Sequence, residues 1–564
     1  MNLGIDFGST YSMLSFYDTQ SDIIKAVQTE HGSSYIPSIA CCNYDNKIIT
    51  GQDAKDFLTG DPDTPAYRAF KMLLTESDQS RIAQMNYDSQ YTPKRIAKEF
   101  LKQQITLAKT RCQTDKFDKV VICIPQVWNT DIYTMSGKAI LQEICLELKA
   151  ELDILNKITV VSEPAAASAY FAYAHQKKTK KPYNERMLIV DYGGGTLDIS
   201  LTKVSSVVRK DGSTAMEIDV EGETGAGENH GRQIGDAGIA YLEGTVRLAL
   251  KEAGFEDVPY DDQFLRAVHL FESTLIGKTT AIQEKIQIEC GRKPARLLKE
   301  AGDETLVTLR YRGKKIPVTY NLIYRSYQQI ISPVLAAQLT KVQKEYLDPI
   351  GKNPKDHVDE LKLALVGGFG QFELVRQQVY DFFGIHRDFE VGSREDAICY
   401  GAALIADGLV SLRKTAKLSM GLVTWQRGNK SFDFAITKRM ELEYDKVYYM
   451  PNPIIFGGFY KESDKPTWEF AIGRGNEVNK AYCLVPRKPT QNELNKIEPE
   501  RSYTIGFSVD DSDIYSIHVI PTNEQGSIRY EKEGRKIRLG NFSDIFGPSV
   551  SYRETDAIFK KSHH

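Results

Sequence analysis

One stretch limits what this chain can fold into more than any other: Leu188-Ile189-Val190-Asp191-Tyr192-Gly193-Gly194-Gly195-Thr196-Leu197-Asp198. Three apolar residues end a buried strand at a carboxylate. The glycines that follow let the backbone turn tightly with its N–H groups toward an anion. A plain hairpin would use the same residues. The order of apolar residues, Asp, aromatic, Gly and Thr recurs at Leu3-Gly4-Ile5-Asp6-Phe7-Gly8-Ser9-Thr10. Two such half-sites imply two related, strand-led lobes around one phosphate-bearing ligand.

A chain of 564 residues is too long for one core and should hold several domains. With 72 basic against 75 acidic residues the net charge is −3, so no global field draws in nucleic acid or an anionic membrane. Small-molecule or protein partners are the starting expectation. Mean hydropathy of −0.37 is that of an ordinary soluble protein, and no run approaches the ~20 apolar residues of a membrane span. No basic, cleavable leader precedes Leu3, and the eight cysteines include no Cys-x-x-Cys pair, which fits reduced thiols in a cytoplasm.

Along the chain, residues 2–17 read as strand, glycine turn, strand. Thr92-Pro93 starts a helix, with Thr as cap and Pro in the first turn. Val120–Ile124 is a buried strand stopped by Pro125, and residues 130–150 have helical spacing. Glu163-Pro164-Ala165-Ala166-Ala167 opens a further helix at a strand end. Dense glycines between Thr214 and Gly238 suit a ligand-wrapping loop. Helical spacing covers Phe264–Ile288 and Tyr320–Tyr346, and Leu363–Gly370 is another strand with a glycine turn. From Leu418 to Phe542 short alternating runs such as Ser502-Tyr503-Thr504-Ile505-Gly506-Phe507 read as a separate β-rich domain.

Three strand-to-glycine turns, at residues 6–10, 191–196 and 366–370, can converge on one nucleotide if the lobes face each other. The first two would hold phosphates, with the Ser9 and Thr10 hydroxyls adding donors. The third, which lacks an acid, suits the approach of a base or ribose. Asp6, Asp191 and Asp198 would repel a polyphosphate, so a hydrated Mg²⁺ held through its waters is the economical reading.

Together these residues resemble the nucleotide-binding domain of the DnaK-type heat shock protein 70 chaperones, in the actin and sugar-kinase superfamily. The resemblance implies an α/β, duplicated actin-like ATPase fold over 1–409. Each of its two lobes, about 1–186 and about 187–385, has an RNase H-like sheet, and 386–409 form a returning helix. A β-rich domain over 410–564 follows. On this resemblance Gly8, Ser9, Thr10 and Tyr11 belong to the first phosphate loop, and Gly193, Gly194, Gly195 and Thr196 to the second. Glu272, Gly367, Gly368, Gly370 and Gln371 belong to the adenosine side, and Gly235, in the altered loop Ile234-Gly235-Asp236, is a further nucleotide-binding residue. Lys71, within Ala69-Phe70-Lys71-Met72-Leu73, stands at the catalytic lysine and Thr196 at the catalytic threonine. Glu163 stands near the attacking water, and Asp6 and Asp191 organise the metal. ATP/ADP and Mg²⁺ are the implied cofactors. A protein client, a J-protein or an exchange factor is the implied partner.

The sequence departs from that family in several places. Phe369-Gly370-Gln371 replaces Ser-Thr-Arg, so Gln371 stands where an arginine would stack on adenine. Leu275 takes the place of a lysine, with Lys278 one turn on, and Tyr133 that of an interlobe arginine. The linker Leu409-Val410-Ser411-Leu412-Arg413-Lys414 is basic rather than acidic, and the chain ends near Phe559 with no room for a helical lid. The expected function is an ATP-hydrolysing, chaperone-like switch. A small-molecule phosphotransferase and an actin-like filament scaffold stand as alternatives.

Overall fold

The computed structural model describes residues 1–61, 63–76, 78–128, 137–152, 155–208, 214–226, 238–289, 303–357, 361–385 and 392–413, and then 416, 419–426, 429–437, 440–443, 446–455, 468–473, 482–487, 501–509 and 515–540. The chain divides into two compact units, Met1–Asn129 with Glu143–Leu412, and Thr130–Gln142 with Arg413–His564.

Two sheets organise the first unit, and they repeat one pattern. In the first, Asn2–Asp6 runs antiparallel to Tyr11–Asp18 on one side and parallel to Phe117–Ile124 on the other. Ile23–Ala26 and Leu155–Ser162 extend its two flanks. In the second, Arg186–Tyr192 runs antiparallel to Leu197–Val208 and parallel to Leu361–Val366. Thr214–Ala226 continues the antiparallel side. Each Asp-ended strand is therefore flanked by its own hairpin partner and by a later parallel strand. The repeat of motifs in the sequence is a repeat of topology.

Parallel strands end at a common edge, where open α/β sheets place their ligands. Asp6 is in register with Cys123, Ile124 with Ser162, and Asp191 with Val366. Glu163 follows Ser162 directly as the first residue of helix Glu163–Thr179, whose first ten residues are all buried. That helix packs closely on Ala397–Ala406, and a Cβ at Gly401 would run into the Ala166 carbonyl. Small residues thus let two helix backbones touch and fix the height of Glu163. One core cluster draws on both sheets and both helices, with Val121, Ala166, Ile189, Val366 and Ala402 in contact. A second, larger cluster covers the other face of the second sheet.

Several sequence expectations are corrected. Within the glycine-dense Thr214–Gly238, Thr214–Ala226 is a 13-residue strand and not part of a ligand-wrapping loop, while 227–237 lie outside the described residues. Gly222 lies under the Tyr346 ring, where a side chain has no room. The run Phe264–Ile288 breaks into Asp262–Gly277 and Thr279–Glu284, because Gly277 favours ending a helix. Tyr320–Tyr346 breaks between Tyr320–Ile330 and Ser332–Val342, because Pro333 has no N–H with which to continue the ladder. The helix expected over 130–150 is described as Gly137–Glu151. The Thr92 side chain caps Pro93–Arg111 as its sequence implies.

Val410–Leu412 is a further strand of the second sheet, parallel to Thr214–Ala226 with Met216 opposite Val410. This strand carries the first unit to Leu412. In the second unit, the sheet order is Asn429–Ile436, Ser419–Gln426, Trp468–Gly473, Tyr482–Arg487. Another sheet has Ser502–Val509 beside Tyr448–Tyr449, Ile454–Ile455 and Tyr515–Pro521, with Arg535–Gly540 at its edge. All eight residues of Ser502–Val509 are buried, although their polarity alternates. The Ser508 hydroxyl finds a partner 2.7 Å away in His518.

Candidate nucleotide site

The two glycine turns are hairpin loops that meet face to face. Gly8 donates its N–H to Ser12 Oγ at 3.2 Å, and Ser38 Oγ donates to the Gly8 carbonyl at 2.7 Å. Gly193 donates to the Thr196 carbonyl at 2.9 Å, closing the second loop. A Cβ at Gly194 would lie 2.9 Å from Thr10 Oγ1, and one at Gly195 2.8 Å from Ser9 Oγ. Glycine is therefore required by the approach of the loops to each other. Each turn joins two antiparallel strands, as the plain-hairpin reading has it.

Beneath the loops lies a buried ion pair, Lys71 Nζ to Glu163 Oε1 at 2.6 Å, with the two side chains 3% and 8% exposed. Lys71 sits in the short helix Phe70–Leu73, entered through Ala69 at φ 55°. Its ammonium lies 5.8 Å from the Phe7 ring centre and 5.9 Å from that of Trp128. A lysine on a solvated helix face would not be found here. Burial opposes its charge, but Glu163 and Asp6 outweigh that and hold its pKa above the ordinary value.

The surrounding acids respond in the opposite sense. Loss of solvation first, and then the Glu163 charge, push the half-buried Asp6 up to about 7. Asp191 is raised well above the carboxylate range by burial, with Glu163, Asp198 and Asp6 adding to the effect. Its Oδ2 is buried with no hydrogen-bond partner among the described residues. Asp198 is wholly buried across the hairpin from Asp191. Among the described residues one ammonium thus faces four carboxylates, which is a poor balance unless more positive charge joins them.

The third turn abuts the second. Gly367, at φ 77°, lies so close to Asp191 that a Cβ would be 2.5 Å from its Oδ1, and Gly370 packs beside Tyr192. Phe369 is drawn into an aromatic group, 5.0 Å from Tyr192 and stacked 5.6 Å from Phe372. This explains an aromatic where the resembling family has a serine. Gln371 donates from Nε2 to the Leu365 carbonyl at 3.0 Å and accepts at Oε1 from Arg394 at 3.4 Å. Gly368 and Tyr11 are exposed. Thr196 is buried. Glu272 is 3.5 Å from His269 on helix Asp262–Gly277. Lys278 donates to the Leu306 carbonyl at 2.7 Å, a contact within its own region. Gly235 and Tyr133 lie outside the described residues.

Sequence reasoning missed Trp128, Met72 and Arg394. Trp128 had a signal, since it follows the strand-ending Pro125 by three residues. Arg394 had none beyond a Gly-Ser-Arg turn before a helix.

Residues 2–225 match the family model described as Hsp70 protein. Over that stretch the chain is similar to the Hsp70 proteins. It is 22% identical over 424 residues to a ribosome-associated molecular chaperone of Zygosaccharomyces rouxii, across 71% of this chain and 60% of that one. It is 24% identical over 457 residues to the chaperone protein DnaK of Carsonella ruddii, across 75% and 66% respectively. A ribosome-associated molecular chaperone of Candida glabrata is 22% identical over 425 residues, across 71% and 60%. The chain thus spans roughly 60–66% of the length of these curated relatives. The α/β first unit with its duplicated sheets, followed by β-rich structure, has the architecture that an Hsp70-like, actin-fold ATPase requires. Among the described residues no helix is long and apolar enough to cross a membrane.

Proposed function

We propose that this protein binds ATP between the two hairpin loops, hydrolyses it slowly, and uses the nucleotide state to control the grip of its β-rich second unit on a protein partner. The observation that carries the reading is the buried Lys71–Glu163 pair at 2.6 Å, placed where both Asp-ended strands finish. Lys71 has three N–H donors, and one engages Glu163, so the others are available to neutralise a γ-phosphate. Glu163, oriented by that bond, positions the attacking water. Thr196 stands at the γ-phosphate. Ser9, Thr10, Gly194 and Gly195 meet the phosphates, since Gly8 and Gly193 already use their N–H groups inside their own turns.

Asp6, Asp191 and Asp198 fit a hydrated Mg²⁺: they are crowded acids, and the Asp191 Oδ2 is buried without a partner among the described residues. Mg²⁺ dehydrates reluctantly and keeps several of its waters, which favours holding the ion through them. When bound, the ion would neutralise charge on the phosphates.

The output would run through Val410–Leu412. This strand is docked on the second sheet, with Met216 N–H donating to the Leu409 carbonyl at 3.2 Å, and it leads directly into the second unit. Lobe movement on nucleotide binding would change that docking. A cytoplasmic setting and a J-protein or exchange factor belong to the same reading.

The test is titration of ATP and ADP into the wild type and Thr196→Ala, following phosphate release and protease cutting near residue 410. ATP-specific protection near 410, with hydrolysis lost in Thr196→Ala, supports the switch. Phosphate delivered to a small hydroxylated acceptor would replace it with a kinase, and ATP-dependent light scattering with a filament. Absence of nucleotide binding overturns the reading.

A further inference from the structure

Two aromatic rings stand over the Lys71 ammonium, with the Phe7 ring centre 5.8 Å and the Trp128 ring centre 5.9 Å from Nζ. Both side chains are buried, at 0% and 2% exposed. They reach the lysine from the ends of adjacent parallel strands. Phe7 follows Asn2–Asp6, and Trp128 closes the single turn Gln126–Trp128 that comes after Phe117–Ile124 and Pro125.

The plane of Phe7 is fixed by other rings. It lies 6.0 Å from Phe70, 24° off parallel, and 6.0 Å from Phe100, while Phe70 is 5.2 Å from Phe100. Phe70 precedes Lys71 and Phe7 follows Asp6, so one cluster of rings places both the lysine and the face beside it. Packing alone asks only for apolar bulk here, which leucine would supply. A ring adds a quadrupole whose negative face attracts a cation, most strongly where water is excluded. The Lys71 stem is flexible, and the bond to Glu163 restrains one of its three N–H donors. Ring faces hold the charge without taking a donor, so the other two stay open to an anion.

We propose that Phe7 and Trp128 are positioning residues that hold the Lys71 ammonium by the charge of their π faces, beyond their bulk, and so raise the rate of phosphate chemistry at Lys71. The rate part rests on the nucleotide reading above; the attraction itself does not.

The experiment uses the full chain carrying Trp425→Phe and Trp468→Phe, which leaves Trp128 as its single tryptophan. That residue is replaced by mono-, di-, tri- and tetrafluorotryptophan, since fluorine drains the face of the ring while adding little volume. Urea unfolding without nucleotide, followed by circular dichroism, is compared in this background and in the same background with Lys71→Met. Single-turnover ATP hydrolysis is measured beside Kd for Mg-ADP, which has no γ-phosphate. The folding constant should fall stepwise with fluorine number, about fivefold in all, and stay level in Lys71→Met. The hydrolysis rate should fall in the same steps by about fivefold, with Mg-ADP affinity unchanged. Trp128→Phe should keep most of the rate, and Trp128→Leu should lose about tenfold. A folding constant that ignores fluorine, or equal steps with Lys71→Met, overturns the attraction and leaves the rings as bulk. Stepwise folding constants with a level hydrolysis rate overturn the rate part alone. Stepwise folding constants in a chain that binds no nucleotide keep the attraction and overturn the rate part together with the nucleotide reading.

Discussion

Replacing Lys71 by alanine removes the one cation of a cluster that holds Glu163, Asp6, Asp191 and Asp198. The partners in its closest pair are 2.6 Å apart and each less than a tenth exposed. Breaking a buried pair by deleting one partner costs about 3–5 kcal/mol, against at most ~1 kcal/mol for a surface pair. Lys71→Ala should therefore lose about 3–5 kcal/mol of stability without nucleotide. Glu163→Gln should lose much less, about 1 kcal/mol, because Lys71 keeps its other acids and one of four like charges disappears. The double variant should recover at least ~2 kcal/mol of the loss expected from adding the two singles. Activity should not follow stability: single-turnover ATP hydrolysis should fall about 10²–10³-fold in each single variant and stay low in the double. Urea unfolding followed by tryptophan fluorescence reads the first quantity, since Trp128 is 5.9 Å from the Lys71 ammonium. Phosphate release reads the second. A Lys71→Ala protein as stable as wild type, or a double variant at the simple sum, would refute the buried-pair argument.

Three further outcomes follow from the same geometry. Gly367→Ala combines φ 77° with a Cβ 2.5 Å from Asp191 Oδ1, so it should cost about 1–3 kcal/mol in thermal unfolding and weaken ATP binding in titration. Asp6 titrates at about 7 in the folded chain against 3.8 when unperturbed, so between these values the folded state holds a proton that the unfolded state has released. Its contribution to stability is complete below pH 4 and is lost as pH rises toward 7; urea midpoints measured at pH 5, 6, 7 and 8 should decline less steeply in Asp6→Asn. Val410 is buried opposite Met216, so Val410→Asp should release the 410–412 strand and make cutting there independent of ATP, as limited proteolysis would show.

The duplicated half-site was legible because its chemistry is local. A carboxylate at a strand end and glycines after it are contiguous in sequence, and the same is true of the Thr92 cap and of Glu163 before Pro164. Lys71 was legible only through its neighbours in the resembling family, because its burial depends on Glu163, 92 positions away. The glycines of 214–226 misled for a physical reason: a glycine can mark a turn or a packing contact, and only Tyr346, far along the chain, decides which. Pro333 and Gly277 carried enough information to break the two long helices, but apolar periodicity runs straight across both breaks. Arg394 could not be read at all. Its position depends on Tyr170 and Tyr35, residues from two other elements.

The third glycine turn and the two Asp-ended strands obey different constraints. Among the described residues, four carboxylates around one ammonium are a poor charge balance, and each acid is fixed near the end of a strand or helix that the core also needs. Asp6 and Asp191 close their strands, and Glu163 begins a helix whose first turns are wholly buried. Changing one would disturb both the charge balance and the packing. The third turn carries no such double burden. Phe369 packs in the aromatic group of the second sheet, Gln371 is tied to the Leu365 carbonyl, and Arg394 reaches Gln371 from the 392–395 loop. Groups set on backbone turns and strand ends stay where the fold puts them, whereas side chains of the third turn are held by packing and hydrogen bonds that other residues can replace.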